Sequence, residues 1–95
     1  MKVTAKFFAS VREITKKSEE TLDVKDGTTV EGLLKLLAEK YGREFRDYVF
    51  EDKNETPRDH LQFLIDGKSI TIFEGVQTML YDGCRLAIVP PVGGG

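Results

Sequence analysis

A single cysteine, Cys84, is all that this 95-residue chain contains. A disulfide framework or a structural zinc site needs more thiols. A two-iron cluster needs four ligands of that kind, so a ferredoxin-type centre is excluded as well. Net charge is also scarce. The formal balance is −2, which lacks the strongly basic footprint of a nucleic-acid-binding domain. Lys2, Lys6, Arg12, Lys16 and Lys17 make the N-terminal region locally positive, and they read as solvated lysines and arginine. No apolar run approaches the roughly 18–20 residues that span a membrane. Met1-Lys2-Val3-Thr4 has no apolar signal-peptide core and already alternates like a strand. A reducing cytoplasm is the expected compartment. Neither G-x-x-x-x-G-K-[ST] nor G-x-G-x-x-G occurs, so the chain brings no nucleotide site of its own. The one histidine, His60, stands among loop residues with no partner motif and reads as solvated.

What remains is enough for one small soluble domain. Hydrophobic residues make up 40% and charged residues 32%, a globular rather than a disordered balance. A single core of this size is marginal but feasible without staples. Val3, Ala5, Phe7 and Ala9 alternate with polar or outward positions, which predicts a first strand over about 2–9. Glu13 to Ser18 is polar and lysine-rich and reads as a loop. Leu22 and Val24 mark a second strand, paired with the first as a hairpin, and Lys25-Asp26-Gly27 is a turn. Thr28-x-x-Glu31 has the form of a capping box. Val30, Leu33, Leu34, Leu37 and Tyr41 then recur at helical spacing, and Gly42 supplies the stop. The spacing predicts a helix over about 29–41.

Residues 43–60 carry the weakest pattern. Phe45, Tyr48, Val49 and Phe50 fit a short second helix or a turn, and Glu51 to Pro57 reads as an exposed loop. Leu61, Phe63 and Ile65 alternate in a third strand. Asp66-Gly67 is a strong hairpin signal, followed by a short strand through Ile70 or Ile72. Tyr81-Asp82-Gly83 is a turn. Cys84 to Val89 is the last strand, stopped by prolines that cannot continue a ladder. The order β-β-α-β-β-β gives an α+β domain. It matches a β-grasp arrangement: a mixed sheet of four or five strands, one main helix across one face, and the first and last strands side by side in parallel. Cys84 shares parity with Leu86 and Ile88 and reads as a buried small hydrophobe.

The chain closes on Val89-Pro90-Pro91-Val92-Gly93-Gly94-Gly95. Three glycines gain nothing for a core and place no side chain near the carboxylate. Such an end suits a terminus that must thread a narrow active site and be activated there. The expected organisation is a domain over 1–89 and a flexible tail over 90–95, with Pro90 and Pro91 stiffening its exit.

Four stretches carry a family resemblance: Phe7-Phe8-Ala9-x-x-Arg12-Glu13, Gly27-Thr28-Thr29-Val30-x-x-Leu33-Leu34, Asp82-Gly83, and Ile88-Val89-Pro90-Pro91-Val92-Gly93-Gly94. On these the chain resembles the ubiquitin-like sulfur carriers. The group includes MoaD-type small subunits of molybdopterin synthase, the archaeal small modifiers (SAMPs) and the more distant ThiS. Within it the likeness is greatest to the MoaD type. The simplest alignment makes Gly94 and Gly95 the diglycine, with Gly93 in the preceding small-residue position. The resemblance implies that an ATP-using, ubiquitin-activating-type adenylating enzyme converts the Gly95 carboxylate into an acyl-adenylate. A sulfur donor then leaves a thiocarboxylate. It further implies that the molybdopterin synthase large subunit accepts the tail and uses the sulfur to build the dithiolene. The chain would be a carrier and co-substrate, with no cofactor of its own. Gly94 and Gly95 are the implied reacting residues. Two alternatives stand beside this: a protein modifier joined to lysines of target proteins, and a β-grasp binding module with no terminal chemistry.

Strand parity also predicts a docking surface. Arg85, Ala87 and Val89 should face away from the helix, together with Lys6, Phe8, Gln62 and Leu64. Phe8, Ala87, Val89 and Leu64 would form an exposed apolar patch beside the tail exit. Phe8, Ala87 and Val89, together with Pro90, Pro91, Val92 and Gly93, are the candidate partner-binding residues. A contiguous patch rimmed by charges marks a partner site more often than scattered apolar residues do.

Overall fold

In the computed structural model, residues 1–51, 56–58 and 60–90 are described. The chain forms β1 (Lys2–Phe7), α1 (Ala9–Thr15), β2 (Glu19–Asp23), α2 (Val30–Tyr41), α3 (Arg43–Val49), β3 (Gln62–Ile65), β4 (Lys68–Ser69) and β5 (Arg85–Val89). Two 3₁₀ turns, Ile70–Ile72 and Gly75–Gln77, lie between β4 and β5. The sheet has five strands in the order β2-β1-β5-β3-β4. The central pair, β1 and β5, is parallel, with Thr4 opposite Arg85 and Phe7 opposite Ile88. The flanking pairs are antiparallel. This is the expected β-grasp sheet.

The alternation in β1 and β5 divides the sheet as the sequence predicts. Val3, Ala5, Phe7, Leu86 and Ile88 are buried, and so are Phe63 and Ile65 of β3. They join Val30, Leu33, Leu34, Leu37 and Ala38 of α2 in one continuous core. Cys84 enters the same core, as its parity requires. Val11 of α1 and Phe45 and Val49 of α3 join the same core, so among the described residues all three helices pack into it.

Helix α2 begins one residue later than the capping-box pattern implies. The hydroxyl of Thr29, not Thr28, accepts from Gly32 N–H at 3.1 Å. Thr28 instead closes the preceding turn by donating its hydroxyl to the Lys25 carbonyl at 2.6 Å. Gly42 ends the helix at φ 87°, and its N–H reaches the Ala38 carbonyl at 2.9 Å. Asp66 and Gly67 have φ of 50° and 85°. A two-residue turn matched to the sheet twist needs positive φ at both positions, and this one sets Ile65 opposite Lys68.

Three further expectations are corrected. Glu13 to Thr15 belongs to a helix, α1, rather than to the polar loop. Its short apolar side, with Val11 and Thr15 buried and Ile14 half-buried, is masked in the sequence by the charged residues around it. The first strand stops at Phe7 instead of running to Ala9, because α1 begins there. The segment that admitted either a helix or a turn is a helix, α3, with Phe45 and Val49 in the core. The fourth strand is only two residues long, since Ile70 already starts a 3₁₀ turn. Glu51, Thr56 and Pro57 of the expected loop are described, and Pro57 makes a β-bridge with Phe50. Residues 52–55 of that loop lie outside the described residues.

Candidate functional site

The face of the sheet opposite α2 converges on the end of β5. Strand β5 is central, so both of its neighbours contribute to each row of side chains. Ala87 lies opposite Lys6 of β1 and Leu64 of β3. Val89 lies opposite Gln62. Phe8 follows the last registered pair, Phe7 with Ile88, which puts it level with Val89. Its backbone is still extended, with φ −129° and ψ 151°. Alternation therefore turns its ring to the side away from Phe7. Phe8 is 41% exposed, whereas Phe7 is 1% exposed. Ala87, Val89, Leu64 and Pro90 are half-buried. The four predicted patch residues thus share one face, and three of them cluster where β5 ends.

Charge borders this patch. Lys6 lies in the Ala87 row, and exposed Arg85 lies two residues earlier on the same face of β5. The Arg85 backbone is fixed from the β3–β4 turn. Its N–H donates to Asp66 Oδ1 at 3.0 Å, and its carbonyl accepts from Asp66 N–H at 2.9 Å. A long cationic side chain with a fixed base can meet a carboxylate on a partner without first ordering its own strand.

The remaining tail positions, Pro91, Val92, Gly93, Gly94 and Gly95, lie outside the described residues, as does the greater part of the expected 90–95 tail. What the structure establishes is their point of departure. Pro90 follows β5 in the middle of the sheet, next to Phe8 and across from the start of β3. Cys84 takes no part in this face. Burial first, and then the charge of Asp66, push its thiol above the ordinary range, so it is a weak nucleophile at neutral pH. His60 is exposed. Among the described residues no group of acids, cysteine and histidine is arranged to hold a metal ion, and no helix is long and apolar enough to cross a membrane.

One polar cluster escaped the sequence reading. Glu20 of β2 accepts from the Tyr41 hydroxyl through Oε1 and from the Lys40 ammonium at the end of α2 through Oε2, and Lys17 Nζ lies 3.7 Å from Oε1. The Tyr41 ring meets Phe7 edge-on at 5.9 Å and Phe45 at the same separation. The cluster clamps an edge strand to the end of the main helix. Lys40 and Tyr41 are about twenty positions from Glu20 in the chain, so no local spacing announces the contact between β2 and α2.

The ThiS family model matches residues 5–95 of the chain. Small archaeal modifier protein 3 of Haloferax volcanii is 30% identical over 95 residues, which cover the whole of both chains. The solution structure of small archaeal modifier protein 1 from Methanosarcina acetivorans is 33% identical, with a TM-score of 0.83 over 99% of this chain and 96% of that one. The crystal structure of small archaeal modifier protein 1 from Haloferax volcanii is 25% identical, with a TM-score of 0.84 over the full length of both. With a β-grasp sheet, an apolar face at the end of its last strand and a family match that runs through the final glycine, this chain belongs to the ThiS family of ubiquitin-like sulfur carriers and modifiers.

Proposed function

We propose that the chain carries sulfur as a thiocarboxylate at Gly95 and donates it in the formation of the molybdopterin dithiolene. The observation that carries this reading is the family match through Gly95, joined to the patch of Phe8, Ala87 and Val89 around the point where the tail leaves the sheet. A carboxylate is a poor electrophile, so the reaction starts with a partner. An adenylating enzyme joins the Gly95 carboxylate to the α-phosphate of ATP and releases pyrophosphate. A sulfur nucleophile then adds to the activated carbonyl, the new C–S bond forms, and AMP leaves. The patch is the surface that both the adenylating enzyme and the molybdopterin synthase large subunit meet. Gly93 to Gly95 enter their active sites, with no side chain to obstruct the carbonyl.

The names of the small archaeal modifier proteins favour a second destination for the same activated carbonyl. A lysine amine in place of the sulfur nucleophile gives an isopeptide bond. Mass spectrometry separates the two. The last basic residue is Arg85, so trypsin releases the terminus as Leu86–Gly95. Incubation with ATP, sulfide and the cognate adenylating enzyme should replace one oxygen of that peptide by sulfur, and the product should support dithiolene formation with the synthase large subunit. A chain that is adenylated but never gains sulfur overturns the sulfur-carrier reading. The same ten-residue peptide on lysines of other proteins supports the modifier reading.

A further inference from the structure

Among the described residues, three other than glycine have positive φ: Ala9 at 50°, Lys16 at 65° and Asp66 at 50°. A Cβ makes that conformation costly, so each position needs a reason. Lys16 ends α1, and its N–H reaches the Arg12 carbonyl at 2.8 Å, as in a left-handed helix cap. Asp66 opens the β3–β4 turn, which requires positive φ. Ala9 has neither reason. It is the first residue of α1, where a helix is ordinarily right-handed. It also lacks the short polar side chain with which asparagine or aspartate offsets the cost.

The cause stands on either side of it. Phe7 is pinned in the sheet, with its ring buried and its N–H donating to the Ser18 carbonyl at 2.9 Å. Val11 is fully buried in the same core. Between them Phe8 turns its ring to the opposite, open face. The chain must therefore leave β1 with one side chain aimed away from the core and re-enter the core three residues later. Ala9 makes that bend. The Phe8 carbonyl then accepts from Val11 N–H at 3.1 Å and from Arg12 N–H at 3.4 Å, which ties the end of β1 to the first turn of α1. Strained backbone persists only where its surroundings over-determine it, and it gathers at binding sites. Of the three positive-φ residues, Ala9 is the one that follows Phe8, level with Val89 at the tail exit.

We propose, on the reading that this patch meets the adenylating enzyme, that Ala9 is a positioning residue whose positive φ holds the Phe8 ring on the open face beside the tail exit. The methyl group matters as well as the bend. A Cβ confines the backbone to a small part of the positive-φ region, whereas glycine moves through both halves of the φ range. Ala9 thus keeps Phe8 in one place before the partner arrives, and less freedom is lost on binding.

The test changes position 9 in the full chain and reads the thermal midpoint, the nuclear Overhauser contacts of the Phe8 ring with the Val89 methyls, and the affinity for the cognate adenylating enzyme. Proline suits the first position of an ordinary helix, and the extended backbone it demands of the preceding residue is already that of Phe8. If Ala9 only started α1, Ala9→Pro would leave affinity unchanged. It should instead remove the ring contacts and weaken binding about tenfold, because it locks φ at about −65°. Ala9→Gly should keep or raise the midpoint and yet weaken binding about threefold, because glycine frees the turn. Replacing Ala9 by its D enantiomer in a chemically synthesised chain makes positive φ unstrained. That chain should have a raised midpoint with the parent affinity and ring contacts. The glycine and D-alanine chains decide the question even where proline unfolds the protein. Affinity that follows the midpoint across these chains is what a structural role gives, and it overturns the proposal. Unchanged ring contacts in Ala9→Gly and Ala9→Pro overturn it too. Phe8→Asp separates the two readings. If it weakens binding while Ala9→Gly does not, the patch stands and Ala9 has no positioning role. If it leaves affinity unchanged, the docking reading fails and the proposal with it.

Discussion

Phe7 and Phe8 are identical neighbours with opposite environments, and strand parity alone separates them. Phe7 packs under Tyr41, while Phe8 lies on the open face beside the end of β5. Phe8→Asp should therefore leave the thermal midpoint nearly unchanged. It should weaken binding to the adenylating enzyme at least tenfold, or about 1.4 kcal/mol, by isothermal titration. Unfolding of the monomer with unchanged affinity would contradict the assignment of this face. Glu20 poses the reverse problem, a carboxylate whose role no sequence pattern reveals. Burial is the largest influence on it and pushes its pKa up. The hydrogen bonds from Lys40 and Tyr41 and the charges of Lys40 and Lys17 together outweigh that, so the net shift is below the ordinary 4.5. A folded-state value below the unfolded one adds stability above the unfolded value and loses it as pH falls through the folded value. Tyr41 shifts the other way, through burial first and Glu20 second, and keeps its proton to donate at neutral pH. Glu20→Gln should cost about 1–2 kcal/mol near neutral pH, and the gap to the parent chain should close as pH falls below about 4.5. Urea midpoints of the two proteins from pH 3 to 7 would check this, and a constant gap across that range would refute it.

Elements were legible in proportion to how much of their stabilisation is local. Helix α2 has an apolar stripe, a threonine cap and a glycine stop, and all three are visible in the sequence. The β3–β4 turn follows from Asp66-Gly67 and its two positive φ values. Strands β1 and β5 follow from alternation. Helix α1 was missed because two turns with Val11 and Thr15 as the buried residues give too short a period to stand out from five nearby charges. Its stability comes from packing against α3, a tertiary contact. The early end of β4 was missed for a similar reason, since Ser69 caps a turn where the apolar alternation through Ile72 suggested a strand. The cap on α2 was misplaced by one residue because Thr28 and Thr29 are chemically alike and only geometry decides between them. The best-signalled element is also where a mutation should cost most. Leu34 is fully buried in α2 against the sheet. Leu34→Ala should cost about 2–5 kcal/mol, a large part of the about 5–15 kcal/mol available to a small domain. A denaturant midpoint unchanged within error would refute the packing of α2.

At the scale of the whole molecule, the residues that hold the fold and those expected to carry the chemistry occupy different parts of the chain. The buried hydrophobic residues run from Val3 to Ile88, and the parallel β1–β5 pair at the centre of the sheet ties these two ends of the core together. The proposed reacting residues, Gly94 and Gly95, come after the last of them. The glycines and prolines of the end are what suggest its proposed chemistry in the sequence, and strand parity put Phe8, Ala87, Val89 and Leu64 on one face, as the sheet has them. The expected parallel pairing of the first and last strands already put Phe8 beside the exit; that β3 flanks the exit on the other side depends on the order of strands in the sheet, which no local pattern carries. The arrangement lets reactivity be removed without touching stability. Deletion of Gly94 and Gly95 should leave the thermal midpoint and the amide spectrum of the core unchanged. It should also leave binding to the adenylating enzyme measurable, because Phe8, Ala87 and Val89 remain. ATP–pyrophosphate exchange should nevertheless disappear, because the shortened carboxylate no longer reaches the α-phosphate. Two residues span about 7 Å when extended, far more than the sub-ångström placement that acyl transfer tolerates. Exchange that persists in the shortened chain would show that the reacting carboxylate is not the one at Gly95. Lost exchange together with lost binding would show that the tail, rather than the sheet face, supplies the affinity.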